Sequence, residues 1–267
     1  MRVLVCVKRV PQTGGRIVLT GDGQEIDTKF LGFTISPHEE CGVEEAVRII
    51  EAKGGESTVL TLGPAAAEDQ LRDAMALGID RAVLLETDGS EWDPVATAAA
   101  ITDAVRAQEA AGGPFDLVIF GNESADSGGF QVGIRVAVAL GRPVVTGLKG
   151  LTIGASTVTA RREATGGGWE TYDLPMPAIV GVKEGINLPR YPSVPGRLRA
   201  KKKEVERIVV GAASPGPAAA AGATLGPTKQ LLRLPEEVGS QVEILGRGAE
   251  AAPAVVDLLE KIGVLAP

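Results

Sequence analysis

A glycine-rich loop with two acidic residues is the stretch of this sequence best suited to bind a ligand. Residues 121–129 read GNESADSGG and join a predicted strand to a predicted helix that begins at Phe130. Gly128 and Gly129 let backbone N–H groups approach a ligand closely, and the positive end of a helix dipole attracts an anion. The loop therefore predicts a phosphate site. Because residues 128–133 match neither the dinucleotide fingerprint nor a P-loop, a plain flexible turn is the alternative interpretation.

Few other side chains are suited to chemistry. His38 is the only histidine, and in the first turn of a predicted helix a polar neighbour of the cap is a commoner role than a catalytic base. Cys6 and Cys41 have no Cys-x-x-Cys spacing and are expected to be small buried residues. Glu123 and Asp126 could bind a ribose or an amide edge. We expect no catalytic residue, and one His with two Cys cannot supply the roughly four ligands of a structural zinc site.

Alternating strands and helices are predicted to position the glycine loop. Ser36, Pro37 and Glu39 combine a cap, a first-turn proline and a capping-box acid, so a helix begins there, with Glu44 and Arg48 paired on its outer face. Alternation of this kind is typical of an α/β fold with a mostly parallel sheet and flanking helices. The predicted strands are 3–7, 57–62, 81–86 and 116–120, and the predicted helices after the first are 65–77, 94–111 and 130–140.

Ligands of an open α/β sheet bind outside the carboxyl ends of its strands. Three such ends are candidates here, at 6–8, at 62–64 and at the glycine loop 121–129. Four later runs look antiparallel and are predicted to extend the sheet: 144–151, 157–162, 169–173 and 178–182.

The composition argues against a nucleic-acid or membrane partner. The chain carries 27 Lys and Arg against 34 Asp and Glu, a formal net charge of −7, so no general attraction to polyanions is expected. No window approaches the roughly 18–20 apolar residues of a membrane span. The short apolar run at the N-terminus does not resemble a secretory signal, so we expect a cytoplasmic protein.

Two segments near the C-terminus have a distinct composition. Residues 190–203 contain six basic residues, and Pro189, Pro192 and Pro195 favour an extended backbone, which predicts an extended protein-docking loop, with a solvated basic surface as the alternative. Residues 206–230 are rich in Ala, Gly and Pro and are interpreted as a linker. Residues 231–267 then form an arm too small to fold alone, which must dock on this chain or on another.

Several segments together resemble the beta (small) subunit of electron-transfer flavoproteins. The similarity covers about residues 1–205 and is carried by 7–11 (VKRVP), Pro37 with 43–47 (VEEAV), 70–74 (QLRDA), 78–82 (GIDRA), 121–133, 174–178 (LPMPA), 187–191 (NLPRY), Pro195 and 200–203 (AKKK).

This resemblance implies a Rossmann-like α/β domain of the adenine nucleotide alpha hydrolase-like type, in residues 1–205. It implies a heterodimer with an alpha subunit that holds most of a redox FAD, and an AMP or a second FAD bound by the beta chain. Backbone amides at 129–132 would hold the phosphate. The matching positions are Cys6, Ser36, Pro37, His38, Glu39, Leu62, Gly121, Asn122, Glu123, Ser124, Ala125, Asp126, Ser127, Gly128, Gly129, Phe130, Gln131 and Val132.

The resemblance also implies partners and a docking segment. Electrons would come from dehydrogenases, such as acyl-CoA dehydrogenases, and pass to a quinone-reducing oxidoreductase. Residues 187–203 resemble the family's recognition loop, in which Arg190, Tyr191, Val194 and Pro195 would meet a dehydrogenase. Val194 stands where the family has a leucine. The arm 231–267 would dock on the alpha subunit.

The nucleotide loop departs from the usual family pattern, because Asn-Gln-Thr-Gly is replaced by Phe130-Gln131-Val132-Gly133. Two polar phosphate contacts are thereby lost, so the bound species is AMP, a second FAD as in electron-bifurcating relatives, or none. A stand-alone adenine-nucleotide sensor is the alternative function. Such a module would share the sheet and the loop but would need neither docking segment nor arm.

Overall fold

The computed structural model describes residues 1–12, 14, 17–211, 230–236, 239 and 242–265. The chain divides into two compact units, Met1–Gln230 and Leu231–Pro267.

A nine-stranded sheet forms the frame of the first unit. Its strands lie in the order β11-β5-β4-β1-β6-β10-β7-β8-β9, and β2 and β3 pair in a separate antiparallel ribbon. The strands are β1 (Arg2–Cys6), β2 (Val10–Pro11), β3 (Phe33–Thr34), β4 (Glu56–Gly63), β5 (Arg81–Thr87), β6 (Leu117–Gly121), β7 (Val144–Ile153), β8 (Thr157–Glu163), β9 (Trp169–Pro175), β10 (Ala178–Val182) and β11 (Val205–Gly211).

Helices cover both faces of this sheet, as the α/β prediction requires. The helices of the first unit are α1 (Pro37–Lys53), α2 (Glu68–Leu77), α3 (Pro94–Gly112), α4 (Val132–Leu140) and α5 (Val194–Ala200). Alternate residues of β1 face opposite sides: Val3 and Val5 pack with α1 and α2, whereas Leu4 and Cys6 pack with α3 and α4. Burial on both faces explains why β1 is a continuous apolar run. The mostly parallel α/β fold is confirmed.

One of the four strands predicted to be antiparallel is parallel instead. β7, β8 and β9 are mutually antiparallel and extend the sheet, as expected. β10, however, inserts between β6 and β7 and is parallel to both. The prediction was wrong for this strand because a local apolar pattern does not reveal which neighbours a strand will pair with.

The predicted boundaries near the C-terminal end of the sheet also change. Residues 187–203 are not extended throughout, because Ser193 caps α5 and accepts a hydrogen bond from Gly196 N–H at 3.1 Å, with Pro195 in the first turn. β11 pairs in parallel with β5, so the sheet continues beyond residue 205 and the linker cannot begin at 206. The rest of that linker, 212–229, lies outside the described residues.

The second unit contains one helix, α6 (Ala252–Lys261), in the part of 231–267 that the structure describes. A short 3₁₀ turn, Gly248–Ala251, precedes it. Val255, Val256 and Leu258 on α6 are partly exposed within this unit. Docking of the arm stays a prediction. None of the described helices is long and apolar enough to cross a membrane.

Candidate functional site

The carboxyl ends of β1 and β6 form the candidate ligand site of this sheet. β1 lies between β4 and β6 in parallel register, with Cys6 opposite both Leu60 and Phe120. After β1 the chain enters α1 on one face, and after β6 it enters α4 on the other. The strand order reverses at this point, and a crevice at such a switch point is the usual ligand site of an open α/β sheet.

The Glu39 carboxylate joins the end of β1 to the start of α1. Its Oε1 accepts the Lys8 N–H at 2.9 Å, and its Oε2 accepts the Ser36 N–H at 2.9 Å. The residue is only 6% exposed. Burial raises the pKa of Glu39 to about 8, although the hydrogen bonds from Ser36 and Lys8 oppose the shift. Glu39 therefore acts as an internal brace of the crevice.

The glycine loop is tied to α1 by two further contacts. The Ser36 hydroxyl accepts the Ala125 N–H at 2.8 Å. His38 Nδ1 accepts the Glu184 N–H at 2.7 Å, and His38 Nε2 lies 3.2 Å from Glu123 Oε1. Because Nδ1 is an acceptor, Nε2 carries the proton and donates it to the carboxylate. His38 thus holds the loop in place, consistent with a polar role beside the helix cap.

A third contact links the loop to β1. Lys8 Nζ lies 2.6 Å from Asp126 Oδ2. Burial would raise the pKa of Asp126, but the charge of Lys8 and hydrogen bonds from Lys8, Ser124 and Ser127 outweigh it and lower the pKa. Lys8 lies in the predicted strand end 6–8 but was not among the cofactor-binding residues implied by the family resemblance. Its position directly after a strand end was the available signal, but the sequence does not show that it reaches Asp126.

The N-terminus of α4 has no side-chain cap, like those of α2 and α6 and unlike those of α3 and α5. α4 begins at Val132, two residues later than predicted, and its N-cap residue Gln131 makes no cap hydrogen bond. Gln131 Oε1 instead accepts from Arg135 Nη2 at 2.9 Å. By contrast, the Asp93 side chain accepts the first N–H groups of α3. The first turn of α4 also contains no acidic residue, so its N–H groups suit an anion.

The loop just before α4 combines an unusual backbone conformation with open space. Phe130 has a φ of 54°, which is uncommon for a bulky residue, and its side chain is half-exposed. Next to it, a Cβ added at Gly129 would meet no atom within 4 Å. The space beside Gly129 is therefore open, as a phosphate-binding loop requires.

Two predicted site residues offer little to a ligand through their side chains. Cys6 is 5% exposed, and burial raises the pKa of its thiol, so the thiol stays protonated. Leu62 lies at the end of β4, across β1 from β6, and packs against the same buried cluster as Cys6.

Among the predicted docking residues, Tyr191 and Val194 are exposed, whereas Arg190 is engaged in contacts within the chain. Tyr191 is 95% exposed and Val194 is 72% exposed. The Arg190 guanidinium instead forms ion pairs with Glu44 at 2.9 Å and with Glu51 at 2.6 Å. Glu44 does pair with Arg48, but the prediction that it lies on the outer face of α1 was wrong, because its side chain is buried.

Comparison with known proteins agrees with this architecture. The electron transfer flavoprotein domain model matches residues 26–213. The chain is 36% identical over 211 residues to electron transfer flavoprotein subunit beta of Bacillus subtilis, covering 78% of this chain and 79% of that protein. It is 37% identical over 209 residues to the subunit beta of Mycobacterium tuberculosis, covering 76% and 77%, and 35% identical over 211 residues to that of Bradyrhizobium diazoefficiens, covering 79% and 82%. The chain therefore belongs to the electron transfer flavoprotein family, among its beta subunits.

Proposed function

We propose that this chain is the beta subunit of a heterodimeric electron carrier and binds an adenine nucleotide at the crevice between β1 and β6. The larger alpha subunit would hold most of a redox FAD. The pair would accept electrons from dehydrogenases, such as acyl-CoA dehydrogenases, and pass them to a quinone-reducing oxidoreductase. Family membership supports the carrier role, since the relatives are named as flavoprotein subunits.

The uncapped N-terminus of α4 is the observation that best supports the nucleotide proposal. Its free N–H groups follow an open glycine loop at the switch point of the sheet. A phosphate at this position would accept those N–H groups and interact favourably with the helix dipole. Since Phe130 and Val132 replace polar residues of the family pattern, the phosphate would be held through the backbone.

The charges around the loop are compatible with an anion. The charge of Asp126 is balanced by its ion pair with Lys8, whereas Glu123 keeps its negative charge and is held by the hydrogen bond from neutral His38. These pairs also fix the loop before a ligand arrives, which lowers the ordering cost of binding. The residues present therefore fit either AMP or the adenosine half of a second FAD. A bound flavin would supply the redox chemistry, which this chain's own side chains lack.

The exposed apolar residues of 187–203 support the docking part of the proposal. Leu188, Tyr191, Val194 and Leu198 are all more than half exposed. An apolar group of this kind within a basic segment is typical of a protein-binding surface. We propose that this surface meets the partner dehydrogenase, with Val194 as an apolar anchor.

Co-expression with the larger subunit from the same organism tests the carrier role. We expect the two chains to co-purify as a yellow heterodimer whose absorbance bleaches when a substrate-reduced acyl-CoA dehydrogenase is added. If the small chain elutes alone and colourless but still binds AMP, it is a stand-alone sensor and the carrier proposal fails.

A further inference from the structure

The docking surface needs something to hold it in place. Leu188, Tyr191 and Val194 turn most of their apolar surface to solvent, so their burial cannot fix the backbone that carries them. A segment with few buried contacts opens locally at little free-energy cost. The α5 half of the surface is held by α2, since Gly196 and Ala200 are buried and Arg72 Nη1 donates to the Ala200 carbonyl at 2.8 Å. The attachments of the other half, residues 187–191, therefore decide how well that part is formed before a partner arrives.

The main attachment is the buried carboxylate of Glu44 on α1. Its Oε2 accepts the Arg190 backbone N–H at 3.2 Å and Arg190 Nε at 2.9 Å, and its Oε1 accepts Arg190 Nη2 at 3.2 Å. The Glu44 side chain is only 2% exposed. Both the backbone and the side chain of Arg190 are thus fixed by one carboxylate that water hardly reaches.

Glu44 is kept ionised by its neighbours. Burial would raise its pKa, but hydrogen bonds from Arg190 and Arg48 outweigh burial and lower the pKa below its usual value. Arg48 Nε lies 2.5 Å from Glu44 Oε1, and Arg48 Nη2 also donates to the Leu188 carbonyl at 3.3 Å. Glu44 and Arg48 therefore hold the segment on both sides of Pro189.

The segment makes two other contacts with α1, through Asn187 and through the pair of Arg190 with Glu51. Asn187 Nδ2 donates to the Cys41 carbonyl and to Glu45, each at 2.9 Å. Arg190 also makes a bidentate pair with Glu51, whose carboxylate is 57% exposed. Ion pairs exposed to water contribute little, whereas removing one partner of a buried pair has a large effect. Of the two carboxylates that bind Arg190, Glu44 is thus the dominant attachment and Glu51 a minor one.

We propose that Glu44 is a positioning residue that holds the docking surface in its binding conformation, and that Arg190 acts as an internal clamp. The partner-docking role of this segment rests on the proposed function. Arg190, predicted from the sequence to contact the dehydrogenase, instead presents its neighbours Leu188 and Tyr191 to it. Because the surface is fixed in advance, less conformational freedom is lost on docking.

Two matched variants on α1 test the clamp. Glu44→Gln and Glu51→Gln make the same chemical change to carboxylates that bind the same guanidinium, one buried and one exposed. In the heterodimer, we expect backbone amide exchange at Leu188, Arg190 and Tyr191 to accelerate roughly tenfold or more in Glu44→Gln and to change less than about twofold in Glu51→Gln. Arg190→Met removes the other partner from a half-exposed position and should accelerate exchange as Glu44→Gln does.

A kinetic measurement then links the clamp to docking. With a substrate-reduced acyl-CoA dehydrogenase, Glu44→Gln should raise the KM for the dehydrogenase while kcat and the bound nucleotide stay the same. The proposal is overturned if exchange in Glu44→Gln matches Glu51→Gln, or, where Glu44→Gln fails to assemble, if Arg190→Met exchanges like the wild type. If Val194→Asp leaves electron transfer unchanged, the docking role fails, but the exchange comparison still decides whether Glu44 fixes the segment.

Discussion

Replacing Gly121 by alanine should destabilise the chain, because the end of β6 approaches the start of α1 too closely for a side chain. A Cβ added at Gly121 would lie 2.6 Å from Glu39 Cγ, 3.1 Å from Glu39 N and 3.3 Å from His38 Cβ. Carbon atoms normally pack at roughly 3.5–4.0 Å, so the closest contact is short by about 1 Å. Glu39 cannot move freely, since its carboxylate holds the N–H groups of Lys8 and Ser36. Overpacking of this kind costs about 2 kcal/mol, within a range of roughly 1–3 kcal/mol.

Thermal unfolding of the nucleotide-stripped chain, followed by circular dichroism, measures this effect. A loss of about 2 kcal/mol corresponds to a fall in Tm of about 5 °C for a domain of this size. Gly129→Ala is the matched control from the same loop, because its Cβ would meet no atom within 4 Å, and its Tm should not change. The reasoning is refuted if Gly121→Ala melts within a degree of the wild type, or if Gly129→Ala falls as far as Gly121→Ala.

Three further predictions concern the brace, the loop and the docking surface. Because the pKa of Glu39 rises from 4.5 to about 8 on folding, its contribution to stability is fully present below pH 4.5 and is lost progressively as the pH rises to about 8. At about 1.36 kcal/mol per pKa unit this amounts to several kcal/mol. Denaturant unfolding between about pH 4.5 and pH 9 should show this loss in the wild type, and an equal loss in Glu39→Gln would contradict it. Ser36→Ala removes the acceptor of the Ala125 N–H and should lower the free energy of unfolding by about 1 kcal/mol. Amide exchange at Ala125 should become faster, and unchanged exchange would exclude this tether. Val194→Asp should raise the KM for a dehydrogenase about tenfold or more, because it places a charge in an apolar contact. The two subunits should still co-purify. An unaltered KM would argue against Val194 as the anchor.

Capping residues and apolar runs in the sequence predicted well where the helices and strands begin. Ser36 and Pro37 start α1 as predicted, and the alternation of apolar runs gave the class of fold. The same chemistry was present at Ser193 and Pro195, which begin α5, but the neighbouring prolines favoured an extended interpretation. A cap with a first-turn proline outweighed them, because proline is compatible with the start of a helix.

Pairings distant in sequence could not be predicted. β10 lies between β6 and β7, and β11 lies beside β5, because of contacts across the sheet that no local pattern encodes. The glycine loop was identified, but its three tethers to Lys8, Ser36 and His38 join residues far apart in the chain. For the same reason, the helical period of about 3.6 residues placed Glu44 on the outer face of α1. In the structure, the segment around Arg190 covers the Glu44 side chain.

Counting the nucleotides released from the heterodimer tests the central claim most directly. After denaturation of the purified wild-type complex, chromatography should find one adenine nucleotide in addition to one FAD per heterodimer, either AMP or a second FAD. The Gly129→Ala complex should keep one FAD but lose most of that additional nucleotide, since the new methyl group would occupy the open space beside the loop. A wild-type complex that releases one FAD and no second adenine nucleotide, or a Gly129→Ala complex that retains it fully, would contradict a nucleotide site at the N-terminus of α4.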